Sequence, residues 1–75
     1  MTLAEATVGK EYLIINVEEG ADSQRLFAFG VIADSRVSIV RIAPFHGAML
    51  IRLRGGYLAM DLQTARRIIC KEVHA

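Results

Sequence analysis

The stretch RLFAFGVIADSRVSIVRIAP, residues 25–44, decides the fold. It reads as a short helix, a glycine stop, a turn and then a strand that ends at the single proline, Pro44. Leu26 and Phe29 lie one helical turn apart, so they are expected to share a face and plug the core together. Gly30 follows as a left-handed stop, because a residue without Cβ adopts that conformation at no steric cost. Val31 and Ile32 carry the chain back toward the core, Asp34-Ser35 turns it, and Arg36 to Ala43 runs extended. A helix this short is not stable alone in water, so it must lie on a sheet.

Working outward, Thr2 and Glu5 have capping-box spacing around one helical turn that carries Leu3 and Ala6. Tyr12 to Val17 reads as a strand with apolar groups on both parities, as if something also packed on its outer face. Glu18-Glu19-Gly20 is a solvated turn, and Asp22 is an N-cap for a helix over Ser23–Phe29. After Pro44-Phe45-His46-Gly47, which breaks pairing, Ala48 to Arg54 alternates cleanly. Met49, Ile51 and Leu53 point one way, Leu50, Arg52 and Arg54 the other. Gly55-Gly56 reads as a primed hairpin turn, Tyr57 to Met60 as a short strand, and Asp61 as the cap of a helical turn with Leu62 and Ala65. A last strand runs through Ile68 and Cys70 toward Val73. The expected class is mainly β: a small barrel of about five strands, a short helix after the first and a helical turn before the last.

Seventy-five residues, 53% of them hydrophobic, make one globular domain over 1–75. Nine Lys and Arg against eight Asp and Glu leave a net charge of +1, too small for a bulk pull toward nucleic acid or anionic lipid. The charges are unevenly placed. Arg36, Arg41, Arg52 and Arg54 fall in the middle strands, while Glu5, Glu11, Glu18, Glu19 and Asp22 crowd the first third, so one face is expected to be basic and another acidic. A lone cysteine, Cys70, allows no internal disulfide and fits a reducing compartment. No stretch reads as a signal peptide or spanning helix, so the expected location is cytoplasmic, with any membrane association made through a partner.

The ordered pattern Leu3…Ala6…Gly9, Arg25-Leu26-x-x-Phe29-Gly30-Val31, Val37-x-Ile39, Arg41-x-Ala43-Pro44, a glycine pair, Ala59-Met60 and Ala65-x-x-Ile68 resembles the FeoA family of bacterial ferrous iron transport proteins. The resemblance spans nearly the whole chain. It implies an SH3-like barrel, a module also found as the C-terminal domain of metal-dependent repressors. It also implies an accessory or regulatory role toward the membrane permease FeoB, whose cytoplasmic part is a GTPase. Three departures stand out. Ala33-Asp34 replaces the usual Pro-Gly after the helix, and Asp34 is expected to keep the turn because Asp tolerates the left-handed region. Ala48 stands where a second proline is common, and Asp61 where a basic residue often follows.

Five residues are candidate partner contacts. Phe27 sits well around the helix from Leu26 and Phe29, as an aromatic free to anchor a partner. Phe45 and His46 occupy a hairpin tip. Arg52 and Arg54 share a strand face. Two duller readings compete with these, packing for the aromatics and solvation for the arginines. His46, His74, Cys70 and Asp34 are available metal ligands, but none has a ligand-like spacing, so no metal site and no cofactor is assigned; transition-metal binding enters through the resemblance alone. No nucleophile–base ordering or phosphate loop is present, so no enzyme is expected. The expected function is a regulatory contact with a FeoB-type permease. The alternatives are a stand-alone regulator-type domain binding a repressor or nucleic acid, and an iron-sensing subunit. Self-association into a homodimer is left open.

Overall fold

The structure, a computed structural model, describes residues 1–45 and 47–74. Five strands form one antiparallel sheet: β1 (Glu11–Val17), β2 (Arg36–Ile42), β3 (Ala48–Leu53), β4 (Gly56–Asp61) and β5 (Ile68–Glu72). Their spatial order is β4-β3-β2-β1-β5. Helix α1 (Ser23–Ala28) is inserted between β1 and β2, and α2 (Leu62–Ala65) between β4 and β5, with a 3-10 turn at Leu3–Glu5. This is the expected mainly β plan.

The clean alternation of β3 is realised directly, with Met49, Ile51 and Leu53 buried. Strands β1 and β2 each contain a bulge, between Ile14 and Asn16 and between Ile39 and Arg41. One extra residue moves the following side chains to the opposite face. The core side of β1 therefore runs Tyr12, Ile14 and then Val17, and that of β2 runs Val37, Ile39 and then Ile42. Apolar residues on both parities arise in this way, and not from a layer covering the outer face of β1. Ile15 and Val40, the extra residues, are 46% and 41% exposed. The buried Tyr12 hydroxyl is satisfied by the Thr7 N–H, which donates to it at 2.8 Å.

The end of α1 corrects one expectation. Leu26 is buried, but Phe29 is 52% exposed. The helix stops at Ala28, and Gly30 (φ 89°) reverses the chain. The Gly30 N–H donates to Phe27 O at 3.0 Å and the Val31 N–H to Leu26 O at 2.9 Å, which is a Schellman ending. That ending brings Val31, not Phe29, beside Leu26 in the core, and it leaves Ile32 partly exposed. Asp34 keeps the left-handed turn (φ 74°) in place of glycine, as expected.

Asp61 caps α2, accepting from the Thr64 N–H at 2.7 Å. Asp22 precedes α1 but makes no side-chain cap bond. In the β3–β4 hairpin, Leu53 pairs with Gly56. The turn residues are therefore Arg54 and Gly55, one position earlier than the glycine pair suggests. Neither has positive φ, so the turn is not of the primed type. Val73 lies beyond the end of β5, although its N–H still donates to Glu11 O at 2.9 Å.

Candidate functional site

The outward residues of β3 meet those of β2 across the sheet. Ser38 lies opposite Arg52, and Tyr57 of β4 lies opposite Arg52 on the other side. Arg36 and Arg54 continue the same outward face two residues along their strands. The segment from Phe29 to Ser35 rises beside this face. Together they enclose an open cleft of about 630 Å³, lined among others by Phe29, Arg36, Ser38, Arg52 and Arg54. Arg36 donates to Glu11 at 3.2 Å. Among the described residues, neither Arg52 nor Arg54 forms an ion pair.

The structure brings Arg52 and Arg54 together and adds Arg36 and Phe29, which sequence reading did not select. Phe27, 69% exposed on α1, lies outside the lining of this cleft. Phe45 sits elsewhere, at the β2–β3 hairpin, where it borders a shallower hollow with Leu62 and Arg66. It is 99% exposed and has φ 68°, in the left-handed region. A bulky side chain there is held at a steric cost. His46 lies outside the described residues.

The metal-ligand candidates are dispersed. Cys70 is buried in β5, and burial pushes its thiol above the usual range. His74 is exposed, with Nδ1 3.6 Å from Glu72. Among the described residues no group of three His, Cys, Asp or Glu side chains is placed to hold a metal ion.

One cluster was not foreseen. The Asp22 carboxylate is paired with the Arg67 guanidinium and accepts from the Thr64 hydroxyl at 3.1 Å. Arg67 also donates to Glu18 O at 3.3 Å. These contacts tie the β1–α1 loop to the segment after α2. The Arg67 guanidinium, followed by the Thr64 hydroxyl, holds the Asp22 carboxyl below its ordinary value against an opposing effect of burial.

Comparison with known proteins supplies the context. A protein-family model described as the FeoA domain matches residues 1–72. The FeoA protein from Chlorobium tepidum superposes with a TM-score of 0.89 at 24% identity, covering 99% of this chain and 71% of that one. FeoA from Stenotrophomonas maltophilia, solved with zinc and described as a prokaryotic SH3 domain protein, gives 0.82 at 21% identity over 95% and 89%. A manganese-dependent transcriptional repressor gives 0.84 at 14% identity, covering 97% of this chain and 36% of that one. No curated protein matches the chain. At these identities the structural likenesses establish the SH3-like fold, while the family model spans almost the whole sequence. The chain belongs to the FeoA family.

Proposed function

We propose that this protein is an accessory subunit of ferrous iron uptake that acts by contact with the cytoplasmic GTPase part of a FeoB-type permease. Family membership associates the chain with ferrous iron transport, in a family of accessory transport proteins. The observation that carries the reading is the FeoA-domain match over residues 1–72. Two surface aromatics that the core does not use, Phe27 and Phe45, support it. Exposed aromatics are favoured interface anchors, and Phe45 is kept in spite of an unfavourable backbone conformation, a combination found at functional loops. Among the described residues no helix is long and apolar enough to cross a membrane. In this reading the chain meets the permease at its cytoplasmic GTPase part.

The test is a titration of the folded protein onto the immobilised GTPase part of the permease. Saturable binding is expected. Phe27→Ala and Phe45→Asn are each expected to weaken it about tenfold. Phe45→Asn is also expected to raise stability by about 0.5–1 kcal/mol, since Asn tolerates the left-handed region better than Phe. Absence of saturable binding by protein shown to be folded overturns the reading.

A further inference from the structure

We infer that the cleft between the outer face of β2–β3 and the end of α1 is a docking groove for an acidic segment of a partner protein. This inference rests on the reading of the chain as an interaction module, and it names the surface and the chemistry of the partner. Three guanidinium groups, Arg36, Arg52 and Arg54, stand on adjacent strands of one face. Like charges this close on a sheet oppose folding. Glu11 relieves Arg36 at 3.2 Å. Arg52 and Arg54 are left without a carboxylate partner among the described residues, although the chain carries eight acids. Arginine presents a planar fork that matches a carboxylate in two parallel hydrogen bonds. Two such forks beside the Ser38 hydroxyl suit successive acidic side chains.

The shape supports the same conclusion. A merely solvated strand face would be open, whereas here the segment from Phe29 to Ser35 makes one wall of a cleft of about 630 Å³. Phe29 is the residue that the Schellman ending turns out of the core, and its exposed ring gives the groove apolar surface. The lining also contains two carboxylates, Glu11 and Asp34. A phosphodiester strand would meet repulsion from both. A peptide can set amide or basic groups against them while its acids reach the arginines, so the observations favour protein over nucleic acid. Charges of this kind steer encounter and fix register.

The test uses the whole 15N-labelled protein and a peptide of about ten residues, glutamates interspersed with leucines, so that both the charge and the apolar wall are probed. Amide shifts are expected at Arg36, Ser38, Arg52, Arg54 and Gly55, with affinity falling as salt is raised. The double variant Arg52→Glu/Arg54→Glu is expected to lose at least about tenfold in affinity. The milder Arg52→Gln/Arg54→Gln guards against a folding defect, and Lys71→Gln, an exposed cation on β5 outside the cleft lining, is expected to bind the peptide unchanged. Shifts elsewhere, or binding indifferent to both arginine pairs, overturn the groove. Equal binding by a single-stranded oligonucleotide of matched charge overturns the assignment to a protein segment. The same variants are then titrated onto the permease GTPase part. Undiminished binding there removes this groove as that partner's site and leaves the partner reading standing. Peptide binding in the groove without any permease binding removes the partner and leaves the groove.

Discussion

The carboxylate of Asp22 reaches away from the helix it precedes. It takes hydrogen bonds from Arg67 and from the Thr64 hydroxyl, while Arg67 also holds Glu18 O. The Arg67 guanidinium lies so close to Gly20 that a Cβ there would collide with it. A methyl group at position 20 would push the flexible end of Arg67 aside, so Gly20→Ala should disturb the same pair. Arg67 and Thr64 favour the charged form of Asp22, so its folded pKa lies below the ordinary carboxylate value. Glu5, which accepts from the Thr2 N–H at 2.7 Å, and Asp61, which accepts from the Thr64 N–H, are lowered for the same kind of reason. A group with a depressed folded pKa stabilises fully above its unfolded value of about 4, and this contribution is lost as pH falls through the folded value. The melting temperature should therefore drop on acidification below about pH 4. Asp22→Asn should melt lower than the parent at neutral pH, and the gap should narrow as pH falls below the ordinary carboxylate range and through the lowered folded value. Thermal melts across this range check both statements; a gap that does not change with pH would show that the Asp22 charge contributes nothing.

Helix α1 separates what local chemistry reveals from what tertiary pairing decides. The stop at Gly30, the turn at Asp34 and the cap at Asp61 were legible in the sequence because each is settled within a few residues. The exposure of Phe29 was not legible. Its spacing from Leu26 is helical, but the Schellman reversal hands the inward place to Val31. The bulges after Ile14 and Ile39 depend on the neighbouring strands, so apolar residues on both parities suggested a covered outer face. The candidate groove was half legible for the same reason. Alternation put Arg52 and Arg54 on one face, but the bulge in β2 shifts the pairing by one residue and concealed Ser38 and Arg36 as their neighbours. Leu26 within α1 and Phe29 at its C-cap carry opposite expectations. Leu26→Ala leaves a cavity in the core and should cost about 3 kcal/mol, whereas Phe29→Ala should cost less than about 1 kcal/mol. Urea denaturation of the two variants decides the matter, and equal losses would restore Phe29 to the core.

At the scale of the whole molecule, the two ends of the described chain are held together. The sheet order leaves β4 and β5 at its edges. Thr2 bridges Ile69 beside β5, and the Cys70 N–H donates to Met1 O at 2.9 Å. The opening segment is pinned twice more, by the Thr7 N–H on the Tyr12 hydroxyl and by the Gly9 N–H on Ile39 O at 2.9 Å. Leu3 is fully buried within it. Residues near a chain end often fray, but a side chain in the common core cannot leave without opening a cavity. A domain of this size has a total stability of about 4–11 kcal/mol. Leu3→Ala should remove about 3 kcal/mol, as much as a central residue. Hydrogen exchange distinguishes this from local loosening. If the opening segment belongs to the single cooperative unit, Leu3→Ala lowers protection of the Cys70 amide and of the Ile14 amide, which donates to Ser35 O at 2.8 Å, by the same factor. Loss at Cys70 alone would mean that the strap detaches by itself and that β5 has an edge free to pair with another chain.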